Sequence, residues 1–430
     1  HSQQRVDSAA AGKAYEAETD PNTGQPKRRL LSAGALYGEV NADTRVTVRN
    51  GATLSAAQAL DISARADTTV AVKAESQATN NTSAALTVAV SNVNVDTAVT
   101  VERGALVSAS DVSLSALNQS ALSTSAVARS DAQGKVGLAA AVSVQDIAAN
   151  VRLDSNIDVA GDVLLDAASV TSSNLTHALV DGPADEESGQ TEVTDVDTGS
   201  SRLLEILQEY AGDAFADITD GLGQDEQAGA PAPAPAPAAP PSPFRLGAAM
   251  AFNLGSHSAS ATIGENTRVH ADGDVLVNSQ VIDAQIGTHA LSNVAAQGDD
   301  GAGTGSKIGI SGAVSLSLLD HQANSLVSSG ANLSGAHVGV GADVRLPRDF
   351  SALGAAKPDF SSFDAFKDSL GAAKDVISDP SSLFTTYGSA KASADSAAVG
   401  GVISYFNAVN QASATVARGA SITATSNDTQ

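Results

Sequence analysis

The sequence predicts an all-β fold: a parallel, right-handed β-helix or solenoid built from repeats of about 52 residues, with two helical insertions. Three observations predict it. One seven-residue phrase recurs six times, alternating strands flank each copy, and the composition suits a narrow core of small side chains.

The phrase is defined by three of its positions. Its first and seventh residues are aliphatic in every copy: Val48 and Leu54, Val101 and Val107, Leu153 and Val159, Ile263 and Val269, Val327 and Leu333, Val416 and Ile422. Its fourth residue is Gly51, Gly104, Asn156, Asn266, Gly330 or Gly419. Gly and Asn enter the left-handed backbone region at least cost, so a turn with positive φ is predicted at all six. The phrases begin at 48, 101, 153, 263, 327 and 416, and the two short spacings, 53 and 52, set the unit. The longer spacings then contain one unit plus insertions of about 58, 12 and 37 residues. Four or so strands in such a unit predict two or three coils per repeat.

Each phrase is followed by an alternating segment, such as Leu60 to Ala64, Val112 to Ala116 or Val163 to Ala167. Upstream lies a small-residue segment such as Gly137 to Val144, Gly247 to Leu254 or Gly309 to Leu316. A period of two with β-branched residues marks strands with one buried face.

Composition narrows the function. Hydrophobic residues make up 42% and aromatic ones 3%, with no Trp and one Met, which favours a slender repeat over a broad globular core. The net charge of −24 argues against nucleic acid or an anionic membrane as partner, since both require a basic footprint. Without cysteine there is no disulfide, thiolate zinc site or thiol chemistry. No apolar run approaches the roughly 18 residues of a membrane span, so no membrane insertion is predicted. His1 to Gln25 is polar and lacks signal-peptide character, and the chain reads as an internal fragment.

The predicted organisation is a polar leader or partial repeat (1–30), solenoid (31–180), an acidic helix with an Ala-Pro linker (181–245), solenoid (246–340), a helical insertion (341–390) and a truncated repeat (391–430). In the first insertion Leu203, Leu207, Tyr210, Ala214, Phe215 and Ile218 share one helical face. In the second, Phe363, Phe366, Leu370, Ala373 and Ile377 do so. These helices either cover the solenoid flank or dock a partner, with Tyr210, Phe215, Phe363 and Phe366 as the candidate contacts.

Chemistry-bearing motifs are sparse. His257 and His321 occupy equivalent repeat positions, with Asp320 beside His321, making the two histidines weak candidates for a metal or proton site. The equivalent positions elsewhere hold Ala42, Val95, Ile147 and Asn410, which favours a structural role. Asp299-Asp300-Gly301 lacks the alternating ligands of a calcium loop and suits only loosely bound Ca2+; no cofactor is predicted. No catalytic residue is predicted. The enzymatic alternative, a β-helical polysaccharide lyase or epimerase, would need charges clustered on one strand face, whereas Arg45, Arg49, Glu102 and Arg152 stand apart.

The Ala139-Ala140-Ala141-Val142-Ser143-Val144 strand, the Val-x-x-Gly-Ala phrases at Val48, Val101, Val327 and Val416, and the Asp-Val-x-Leu segments at Asp111 and Asp162 resemble a known pattern. They are similar to the repeats of giant bacterial exoproteins related to filamentous haemagglutinin, specifically the leukotoxin-like filamentous adhesins. The resemblance spans roughly 31–180, 246–340 and 390–430. It implies secretion and a long rod at the bacterial cell surface, serving adhesion, aggregation or a biofilm matrix. Its partners would be further repeats of the same parent chain and surface or matrix polysaccharide or protein. A self-associating extracellular filament subunit is the remaining alternative.

Overall fold

Alternation of small inward and polar outward residues continues through segments of up to 20 residues with no proline to interrupt them, and strands of that length form. The computed structural model describes residues 2–11, 32–78, 84–130, 136–181, 244–294, 308–346, 385–392, 394 and 397–425. Every element among them is a strand.

A leading strand, β1 (Ser2–Ala11), precedes six coils. The first coil is β2 (Ser32–Val48), β3 (Thr53–Ser55) and β4 (Ala59–Ala78). The second is β5 (Ala84–Val101), β6 (Leu106–Ser108) and β7 (Asp111–Ser130), and the third β8 (Val136–Leu153), β9 (Ile157–Val159) and β10 (Val163–Asp181). In the fourth, β11 (Phe244–Ile263) and β12 (Arg268–Ala271) lead to a divided strand, β13 (Val275–Asp283) and β14 (Ile286–Val294). The fifth repeats that plan with β15 (Ile308–Val327), β16 (Asn332–Gly335), β17 (Val338–Arg345) and β18 (Thr385–Ala392). The sixth begins with β19 (Ala397–Val416) and β20 (Ser421–Ala424).

All pairing is between neighbouring coils and parallel. One long sheet runs β2-β5-β8-β11-β15-β19, and a second, facing it, runs β1-β4-β7-β10-β13-β17 with β14 and β18 continuing it. The short strands form a narrow third side. The first aliphatic residues of all six phrases make one ladder: Val48 pairs with Val101, then Leu153, Ile263, Val327 and Val416. One repeat is therefore one coil. The sequence reading expected two or three because it assumed strands of ordinary length, and these are three times longer.

The turns stack as predicted at five positions. Gly51, Gly104, Gly330 and Gly419 have φ of 78°, 86°, 72° and 83°, and Asn266 has 57°. Asn156 does not share this conformation. The strand partner of Val269 is Ile157 and not Val159, so the third turn is shorter than the fourth and crosses without a left-handed residue. Asn156 instead accepts a hydrogen bond from the backbone N–H of Arg268 through Oδ1 at 2.8 Å.

Other boundaries shift too. Residues 2–11, read as a polar leader, form β1 and pair with β4. Gly341 to Arg345 and Thr385 to Ala390, assigned to a helical insertion, are strand. No helix occurs among the described residues. The two predicted helices, with Tyr210, Phe215, Phe363 and Phe366, and the Asp299–Gly301 loop lie outside the described residues.

The core has two apolar lobes. One surrounds the turn corner and includes Val101, Leu153, Leu165, Ile263, Val275 and Leu333. The other fills the far end, with Val70, Val95, Leu122, Ile147, Ala251 and Ala290. Between them, halfway along the long strands, buried polar residues form a seam: Thr97, Asn118, Gln145, Thr171, Asn174, Asn253, His257, Asp283 and His321. The backbone of the second long sheet loosens along this seam. The β10–β7 register slips between Thr171 and Ser173, β13 and β14 part at Ala284 and Gln285, and β17 and β18 are separated by 346–384.

Candidate functional site

The seam is where chemistry-bearing side chains meet. His257 lies on the inward parity of β11, and His321 on that of β15, its register partner. Asp283 is the last residue of β13 and keeps that strand's inward alternation. All three are buried, at 1%, 0% and 1% exposure respectively. The carboxylate sits between the two rings: Oδ1 lies 2.9 Å from His257 Nδ1, and Oδ2 lies 2.8 Å from His321 Nε2. The rings meet edge to face, with centroids 5.4 Å apart and planes at 84°.

Each ring is also held from its far side. His257 Nε2 donates to Gln145 Oε1 at 3.0 Å, and His321 Nδ1 donates to Asn410 Oδ1 at 3.0 Å. The Gln145 amide is fixed in turn, since its Nε2 donates to Asn174 Oδ1 at 2.7 Å and Asn253 Oδ1 at 3.0 Å while its Oε1 accepts from Asn174 Nδ2 at 2.9 Å. The cluster thus joins both long sheets and four neighbouring coils. Burial by itself pushes the Asp283 carboxyl up, but the charge and hydrogen bonds of His257 and His321 outweigh it and hold the group well below the usual carboxylate range.

The stacking of His257 on His321 was legible from their repeat positions. Their equivalents fall where the sequence placed them, with Ala42, Val95, Ile147 and Asn410 in the same ladder. Asp320, the sequence neighbour of His321, is not part of the cluster. Asp320 sits on the outward parity of β15 and accepts from Gln322 Nε2 at 2.9 Å, because adjacent strand residues point to opposite faces. Asp283, from the facing sheet, takes its place. An aspartate on the inward parity of Val275, Val277 and Val281 was the available signal.

Two further groups lie on outward-facing positions, the first of them largely covered. His177, His289 and Tyr387 form a register ladder with ring centroids 4.6 and 6.5 Å apart. Burial pushes the His289 imidazole down to about 4. Burial first, and the neighbouring His289 second, hold His177 well below its ordinary value. Asp111, Asp162 and Asp274 make an acidic row beside the short sheet, but the row is committed to joining coils. Asp111 Oδ1 accepts from the Asp162 backbone N–H at 3.0 Å, Asp162 Oδ1 from that of Asp274 at 2.8 Å, and Asp274 Oδ1 accepts from His337 Nδ1 at 2.8 Å.

Several of the remaining charges pair with neighbours, as in Arg45 with Asp96 at 2.7 Å, Arg65 with Asp67 at 3.0 Å and Arg129 with Glu75 at 3.0 Å. Such exposed pairs are screened by solvent and add little to stability. The chain matches no protein-family model, no curated protein and no solved structure.

Proposed function

We propose that this chain is a shaft segment of an elongated extracellular protein of the bacterial filamentous-adhesin kind, acting by geometry and not by catalysis. One observation carries this reading: each repeat adds a single coil in register on the last, so the stack extends without altering its cross-section. The connections between coils support it. They all leave from the same corner and range from 393–396 to 182–243, so one edge accepts inserts of any length while the ladders stay aligned.

The role of the shaft is to hold these inserts at intervals along a rigid support, where they meet surface or matrix polysaccharide, protein, or a neighbouring filament. The polysaccharide lyase or epimerase reading draws little support from the outward strand faces, where Arg45, Arg65 and Arg129 are engaged in ion pairs and the acidic row binds backbone. The test is to coat beads with the purified chain and count their attachment to bacterial and host cell surfaces and to acidic polysaccharide films, while assaying the medium for unsaturated sugar products. Saturable attachment without product is the expected result. Product release, or attachment no greater than with albumin-coated beads, overturns the proposal.

A further inference from the structure

We infer that His257, Asp283 and His321 bind one divalent transition-metal ion, which pins the two long sheets together inside the fourth and fifth coils. The donors come from three strands, β11, β13 and β15, and their ligand atoms all lie within 4.8 Å of one another. Nothing else in the described core brings three such groups together.

The geometry suits an ion. Neighbouring ligands at about 2.05 Å from a four-coordinate centre lie about 3.3 Å apart, so these donors need to open by only a few tenths of an ångström to admit one. The nitrogen-to-carboxylate separations are 2.9 and 2.8 Å. With both carboxylate oxygens engaged, the three residues supply four donor atoms, and their two imidazoles with one carboxylate select zinc, cobalt, nickel or iron(II) over calcium or magnesium.

The surrounding amides matter as much as the ligands. Gln145 Oε1 and Asn410 Oδ1 accept the outer ring protons, which fixes the tautomers and turns the lone pairs of His257 Nδ1 and His321 Nε2 toward Asp283. Without an ion, each ring faces an acceptor on both sides. A metal ion between the rings and the carboxylate takes up both inner lone pairs. Its place also has a reason: β13 and β14 part immediately after Asp283, so the ion would brace the sheet where its backbone is broken.

An ion enclosed this way has no room for substrate, and its role is structural. The position is not repeated, since the equivalents of the two histidines on other coils are Ala42, Val95, Ile147 and Asn410. One ion per chain is the expected stoichiometry.

The test uses the full chain, unfolded in chelator, refolded with cobalt(II) or zinc(II), and desalted. The expected result is one retained ion per chain, a cobalt spectrum of nitrogen and oxygen ligands, and a thermal midpoint raised by the metal. The His257→Gln/His321→Gln double variant keeps neutral hydrogen-bonding side chains in the core and should retain at least about tenfold less metal. Its midpoint should not respond to metal. Metal content in the wild type indistinguishable from background, or equal retention in the double variant, overturns the inference. If the double variant fails to fold, the wild type's own metal content and midpoint shift decide. Attachment of coated beads is independent of this readout, so either conclusion can fail without the other.

Discussion

At the turn corner, each coil is filled by the same kind of residue from one rung to the next: Val101, Leu153, Ile263 and Val327 on one side, Val112, Leu165 and Val277 on the other. Halfway along the long strands the filling changes at every rung. Thr97 bonds to Asn118 in the second coil, Gln145 to Asn174 in the third, and His257 and His321 to Asp283 in the fourth and fifth. The corner is interchangeable packing, in which any aliphatic of suitable size serves. The seam is particular. Each polar group needs a named partner, and the backbone beside it slips, breaks and finally admits an insertion. Uniform register thus depends on the corner, whereas the identity of each coil lies in the seam.

Substitutions can separate the two regions. In chelator, Asp283→Ala leaves two buried ring nitrogens without their partner and should cost about 2–6 kcal/mol. Leu165→Ala in the corner should cost about 2–5 kcal/mol, set by how far its neighbours close on the cavity. Denaturant unfolding measures both, and a milder loss for Asp283→Ala than for Leu165→Ala would break the contrast. A smaller effect sharpens the corner itself. Gly51 and Gly104 share the left-handed conformation, but an added Cβ meets nothing within 4 Å at Gly51 and presses on Asn50 Oδ1 at Gly104. Gly51→Ala should cost about 1–2 kcal/mol from backbone strain alone, and Gly104→Ala more.

Acid offers a third comparison. His289 stays neutral in the folded chain down to about 4, while in the unfolded chain it protonates near its ordinary 6.5. The unfolded state therefore binds more protons between those values, and stability should fall as pH drops through that window. His177 is displaced in the same direction. The His177→Gln/His289→Gln variant should flatten this part of the stability profile; an unchanged slope would place its origin elsewhere. The smallest effect concerns the gap in the seam. The fourth coil passes from β13 to β14 through Ala284 and Gln285 alone, so replacing 346–384 with a four-residue link should preserve cooperative unfolding with a change of about 1 kcal/mol or less. Loss of cooperativity would show that the segment completes the core.

The parts of this fold legible in the sequence are those repeated often enough to be seen. Five of the six turn residues, the aliphatic ladder and the equivalence of His257 with His321 all follow from one recurring phrase. What escaped was particular to a single coil. Asn156 falls in a turn of different length, and a fixed-length phrase cannot register that. Strand length was hidden because Ala, Ser and Thr carry little hydrophobic contrast, so two ordinary strands and one very long strand look alike. The partner of the histidines lay across the core on a strand with no fixed sequence distance from them, and pairing between facing sheets leaves no local periodicity.

Strands of 20 residues make each coil about 65 Å wide, while the facing sheets stand about 10 Å apart. A long stack of such coils is a ribbon and not a cylinder. Its resistance to bending scales with the square of the dimension in the bending plane at fixed cross-section, so it is more than about tenfold stiffer edgewise than flatwise. Under shear flow such a ribbon would yield by bowing and twisting about its thin axis, and it would carry its connecting loops along one narrow edge. On the proposed reading, a filament of this section would keep its reach along its length while bending readily across its thin dimension.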